Sequence, residues 1–269
     1  MKLSISNIAW ADDSQVIETL IERKIEHVDL ALSKYFSFDG RIEESSINEI
    51  ADYWSKNGIQ PLGTQSLFYG KPELNLFYDE QSRRLMLAHL ESYYTICNKL
   101  GIKYAVFGSP KNRFKGSLTE EESLEVSLSF FKDVAALSQK YKIITCLEPN
   151  PTIYSCDFLT STTEVIDFIK LVKHDALKVQ IDIGAMCVNK EEPDEIFSKA
   201  QNNIGYVHIS EPGLKALSVS NSYHYLVSSA MKRNNTFEYD MCIEIALGSK
   251  ADPIDDIARS IDFVLDRYF

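Results

Sequence analysis

Apolar residues along the chain fall into two alternating kinds of segment. Short runs rich in β-branched and aromatic residues alternate with longer stretches in which apolar positions recur every three or four residues. The first run is Leu3 to Ala9, followed by an amphipathic stretch around Ser14 to Arg23. Next come His27 to Leu32 with a helix around Ile47 to Lys56, and Ile59 to Leu67 with a helix from Glu80 to Leu100. Ile102 to Gly108 precedes a helix from Glu120 to Tyr141. The fifth run, Ile143 to Leu147, leads to a helix near Thr163 to Val172, and the sixth, Leu177 to Ile183, to one near Pro193 to Gln201. Ile204 to Ile209 is followed by a longer loop and a helix near Ser222 to Arg233. Met241 to Ile245 precedes the last helix, Pro253 to Tyr268. Eight strand–helix pairs in succession predict an α/β fold, a (β/α)8 barrel, over residues 1–269 as one domain.

Helix starts agree with these boundaries. Thr119 with Glu122, and Ser161 with Glu164, each have the spacing of a capping box. Asp252 before Pro253 reads as a cap followed by a proline in the first turn. Leu124, Leu128, Phe131 and Ala135 predict one apolar stripe on the fourth long helix.

Composition adds limits. The chain has 269 residues, ordinary for one such barrel, and a formal net charge of −11, which disfavours nucleic acid and anionic membranes as partners. Five cysteines, an odd number without a two-residue spacing, read as buried small hydrophobes in a reducing compartment, the cytoplasm. The N-terminus lacks the long apolar region of a signal peptide, and no apolar run is long enough to span a bilayer. A homo-oligomer is compatible with all of this.

The active site of such a barrel lies at the C-terminal ends of its strands. Four consecutive strands there deliver one metal-capable side chain each: Glu148, Asp182, His208 and Glu244, spaced 34, 26 and 36 positions apart. Any one of them alone has an ordinary explanation as a cap or a satisfied core residue. Three carboxylates converging on one rim, however, need a cation to be tolerated. The oxygen-rich set suits Mn²⁺, Mg²⁺ or Co²⁺, with Zn²⁺ less favoured.

These segments resemble the sugar phosphate isomerase/epimerase family, the xylose-isomerase-like barrels that include ketose 3-epimerases, hydroxypyruvate isomerase and inosose dehydratase. The matching residues are Glu148 in Leu-Glu-Pro-Asn, Asp182 in Ile-Asp-Ile-Gly, His208 with Glu211 three residues on, and Glu244 in Cys-Ile-Glu-Ile. The resemblance implies one divalent metal on Glu148, Asp182, His208 and Glu244, with Glu148 and Glu244 also serving as the acid/base pair on a small sugar or sugar phosphate. Two positions depart from the ketose epimerases. Ala185 stands where they carry a histidine, and Leu214 where they carry an arginine. Both changes remove polar contacts near the substrate, whose identity stays open.

Further substrate contacts are expected from the strand ends and the loops after them. Lys111 and Arg113 follow the fourth strand and suit a phosphate or carboxylate. Trp10 offers an apolar platform for a sugar ring, and Gln65, Asn150, Glu211 and His224 offer hydroxyl partners. The same residues admit a dehydratase of a keto-polyol, or a sugar-binding barrel without catalysis. The apurinic endonucleases share the barrel but need a histidine-rich, three-metal rim, and this chain has five histidines in all.

Overall fold

The computed structural model describes residues 1–40, 42–236, 238–246 and 253–269. Eight parallel strands close into a ring in chain order. They are β1 (Leu3–Ser6), β2 (His27–Leu30), β3 (Gln60–Thr64), β4 (Tyr104–Phe107), β5 (Ile144–Leu147), β6 (Leu177–Asp182), β7 (Ile204–Ser210) and β8 (Met241–Glu244). Helices return the chain between them: α1 (Ile17–Glu22), α2 (Glu44–Lys56), α3 (Glu80–Lys99), α4 (Glu120–Lys140), α5 (Thr162–Val172), α6 (Ile183–Asn189), α7 (Pro193–Ala200), α8 (Tyr223–Arg233) and α9 (Ile254–Tyr268). The fold is therefore the (β/α)8 barrel. Among the described residues, no helix is long and apolar enough to cross a membrane.

The two-residue period of a strand sorts its side chains. On β7, Val207 and Ile209 join the large core between strands and helices, together with Val179, Ile181 and Ile243. Tyr206 joins a smaller cluster with Tyr104, Cys146 and Cys242 that fills the barrel's interior. Tyr104 and Tyr206 stack there with ring centroids 4.4 Å apart. His208, two residues past Tyr206, and Glu244, two past Cys242, continue these inward rows to the rim. Period two thus aims the chemistry inward while the intervening apolar residues hold the helices.

Several expectations need adjustment. Helix α6 starts directly after β6 and was hidden by the continuous apolar run Ile183-Gly184-Ala185-Met186. Its cap is Asp182, whose carboxylate accepts the Ala185 N–H at 2.5 Å. Of the expected α4 stripe, Phe131 and Ala135 are buried and Leu128 packs against the core, but the buried face is wider than expected. Ser123, Ser127, Phe130, Phe131, Val134, Ala135 and Ser138 are buried, while Leu124 is exposed. Three of those serines return their hydroxyls to carbonyls of the preceding turn, on Glu120, Leu124 and Val134, so a small polar side chain can sit in the core without an unmet bond.

At Thr119 both arms of the capping box form. At Ser161 only one does, because Glu164 reaches back to the Thr160 N–H instead. Pro253 takes the cap position of α9 itself, and Asp252 lies outside the described residues. The five cysteines carry no disulfide, and all but Cys187 are buried.

Candidate metal centre

Glu148, Asp182, His208 and Glu244 each bring one ligand atom to a common point, all four atoms within 4.8 Å of one another. Glu148 follows β5 directly; the others end β6, lie within β7 and end β8. His208 is fully buried. Its Nδ1 lies 3.0 Å from Glu244 Oε2, 3.4 Å from Glu148 Oε1 and 3.9 Å from Asp182 Oδ2.

The electrostatics are those of crowded negative charge. Burial, with the charges of Glu148 and Glu244 beside it, pushes the Asp182 carboxyl up to about 8. Burial disfavours charge on His208, but Glu244 and Glu148 outweigh it and hold the imidazole well above the ordinary histidine range. One imidazole cannot balance three carboxylates, two of them buried and Glu148 partly so. The donor set fits a hard divalent cation, which supplies the missing charge and takes oxygen and imidazole ligands together.

Neighbouring residues brace the four. The Gln65 side-chain amide donates to Glu244 Oε1 at 2.8 Å. Ser210 on β7 donates to Asp182 Oδ2 at 2.8 Å and accepts the Gly184 N–H at 2.9 Å. Gly108 leaves room for Glu148, since a Cβ there would lie 2.3 Å from Glu148 Oε2. Gly108→Ala should therefore swing the carboxylate aside without disturbing the barrel, because that oxygen is the free end of a flexible side chain. Metal affinity should fall by about 10–100-fold with the melting temperature of the metal-free protein nearly unchanged. Titration calorimetry checks this, and unchanged affinity would contradict it.

Two cavities of about 490 and 330 Å³ meet at this point and share Pro110, Glu148, Asn150 and Glu244 as walls. Gln65, Lys111 and Gly108 line the first. Asp182, Glu211, Ala185 and Leu214 line the second, beside Pro149, Pro151 and Tyr154. The structure thus brings Gln65, Lys111, Asn150 and Glu211 to the cavities around the four candidate ligands.

Three other expected contacts lie elsewhere. Arg113 is fully buried and gives its guanidinium to the backbone carbonyl of Glu148, so it props the chain at the candidate ligand and lines neither cavity. His224 is buried between α8 and α9, with Nδ1 2.7 Å from the Tyr268 hydroxyl. Trp10 is buried too, and its indole N–H is taken by Asp13 at 2.7 Å. Glu211 lines a cavity but is committed to its own loop: it accepts from Asn221 at 2.6 Å and from the Ser218 N–H at 3.3 Å. The bracing roles of Ser210 and Gly108 escaped the sequence. A glycine at a strand end facing a candidate ligand was the available signal for the latter.

The sequence profile of the xylose isomerase-like TIM barrel family matches residues 25–221. The chain belongs to this family. No curated protein matches the sequence significantly. Solved structures superpose along the whole chain. D-psicose 3-epimerase from Clostridium cellulolyticum H10, solved with D-tagatose, has a TM-score of 0.80 and 17% identity, covering 100% of this chain and 99% of its own. The 3-keto-D-glucoside 4-epimerase from E. coli has a TM-score of 0.77 and 12% identity, covering 99% of each chain. The IOLI protein, solved with a bound zinc atom, has a TM-score of 0.73 and 16% identity, covering 100% and 99%. At such identities the likeness speaks for the fold, and the chemistry must be argued from the site.

Proposed function

We infer that this protein is a divalent-metal-dependent isomerase or epimerase of a small ketose or ketose phosphate. The observation that carries the reading is the position of Glu148 and Glu244. Both belong to the four-residue cluster, and both stand where two cavities meet. A substrate lying across that junction presents one carbon to two carboxylates. The sugar epimerases among the structural neighbours, and the zinc of the IOLI protein, support the same reading.

Glu148, Asp182, His208 and Glu244 would hold the cation, with Mn²⁺, Mg²⁺ or Co²⁺ favoured by the oxygen-rich set. When bound, it supplies Lewis-acid stabilisation for negative charge developing on a substrate oxygen. The chain's own residues do the rest. One of Glu148 and Glu244 takes the proton from the carbon beside the carbonyl. The other returns a proton, to the opposite face of that carbon for epimerisation or to the neighbouring carbon for isomerisation. Gln65 holds Glu244 in place while this happens, and Asn150 faces both cavities as a hydroxyl partner. Lys111, exposed on the wall of the first cavity, would pair with a phosphate on the substrate.

Incubation with a panel of ketoses and ketose phosphates in deuterated water with Mn²⁺ tests the reading. Deuterium should enter at the carbon next to the carbonyl of at least one substrate, and lose its entry when the metal is chelated. Full metal loading with no exchange into any ketose would favour a binding protein instead.

A further inference from the structure

Below the four converging residues, the barrel's interior holds a polar group that the proposed reaction does not use. Asp29 on β2 is fully buried. Its Oδ1 accepts from Ser4 Oγ at 2.6 Å and from the Tyr206 hydroxyl at 2.9 Å. Its Oδ2 accepts no N–H or O–H hydrogen bond, and the Cys242 thiol interacts with the carboxylate. Asp29, His208 and Cys242 each bring a polar atom within 4.8 Å of the other two. His208 is in a matching state. Its Nδ1 faces the rim carboxylates, while its Nε2 is buried without a partner.

The fold makes specific room for this carboxylate. The pairing of β2 with β3 shifts register between Val28 and Asp29. Across the shift stands Gly63, where a Cβ would lie 2.1 Å from Asp29 Oδ2. The absent side chain of Gly63 is the space that Oδ2 occupies. Ser4 and Tyr206, from β1 and β7, then fix which oxygen is committed and which is spare.

A neutral imidazole has one N–H, and the acceptor that it meets decides which nitrogen carries it. Only the other nitrogen can bind a cation. We propose that Asp29 is a positioning residue for His208: its Oδ2 takes the Nε2–H, directly or through one water, so that the Nδ1 lone pair is the one turned to the rim. This rests on the reading of His208 as a metal ligand. It also explains why a carboxylate is kept in the barrel's centre, where an apolar side chain would pack more cheaply.

Asparagine at position 29 has the same shape but the opposite polarity on this side. Ser4 and Tyr206 would claim its carbonyl oxygen, and its NH₂ would then point at Nε2, which must accept. The proton moves to Nδ1, the wrong nitrogen for a metal. The experiment uses the full chain, titrated with Zn²⁺, and long-range ¹H–¹⁵N spectra of the zinc-loaded protein, with the His208 signals assigned by their loss in His208→Gln. Wild type should show the proton on Nε2. Asp29→Asn should weaken zinc binding by about 10–100-fold and lose the Nε2–H signature. Tyr206→Phe, which removes one donor to Oδ1, should do the same to a smaller degree.

Asp29→Asn that binds zinc within about twofold of wild type, with the Nε2–H signature intact, overturns the proposal. If Asp29→Asn does not fold, unchanged affinity and unchanged tautomer in Tyr206→Phe overturn it. Two zinc ions per chain, one lost in Cys242→Ser, would also overturn it, because Asp29 would then be a ligand of an inner metal. Wild type that binds no cation sinks the reading of the rim site itself, a different failure.

Discussion

Glutamine at Glu148 or at Glu244 should leave the barrel folded and reduce turnover by about 10²–10⁴-fold, the usual cost of losing a positioned acid or base. The side chain keeps its shape, and its amide oxygen can still accept, as Glu244 Oε1 does from Gln65. It cannot exchange a proton at neutral pH. The two variants also distinguish the reactions. In a two-base epimerase, each single variant can still exchange the substrate proton on the face served by the surviving carboxylate, while net epimerisation stops. In a one-base isomerase, one variant loses exchange completely and the other loses only metal affinity. Deuterium wash-in measured beside product formation, for wild type and both variants, separates these cases. If both variants turn over at the wild-type rate, neither carboxylate is the acid or base, and another group must move the proton.

The positions of those two glutamates were legible in the sequence because strands obey a period of two. Each ends a short apolar run, and in the structure each continues the inward row begun by Cys146 or Cys242. The element order was legible because each apolar run is short and some helices carry a start signal, as at Thr119 and Ser161. What lay beyond the sequence depends on rotation and on distant partners. Helix α6 follows β6 without a loop, and its cap, Asp182, reads in the sequence as a strand-end ligand. The full width of the α4 face was not legible, because Ser123, Ser127 and Ser138 look polar yet satisfy themselves within the helix. Arg113 sits in a basic loop and reads as a rim cation, but its guanidinium turns inward to the carbonyl of Glu148. Asp29 and His208 are far apart in sequence, and only closure of the barrel brings them together.

Divalent metal should stabilise the fold, and more so as pH rises. In metal-free protein burial and the charges of Glu148 and Glu244 push the Asp182 carboxyl up to about 8, far above its ordinary 3.8. The folded state then holds a proton that the unfolded chain has released, so stability falls as pH climbs from about 4 to about 8. His208 acts in the same direction. Its folded value lies above the ordinary 6.5, so its contribution is present below that value and is lost as pH rises through the folded one. A cation at the cluster replaces both protons, and its apparent affinity must increase with pH. At about 100 times its dissociation constant, Mn²⁺ should add roughly 2.7 kcal/mol. That corresponds to roughly 5–10 °C in melting temperature for a chain of this size. Scanning calorimetry after chelation, with and without Mn²⁺, should show the larger gain at about pH 8.5 and the smaller at about pH 6. The Asp182→Asn/His208→Ala double variant should lose the gain at both pH values, because two of the four ligands are gone and the remaining glutamates alone bind weakly. A gain in that variant equal to the wild type's would place the metal elsewhere on the protein, and the four-residue site would have to be abandoned.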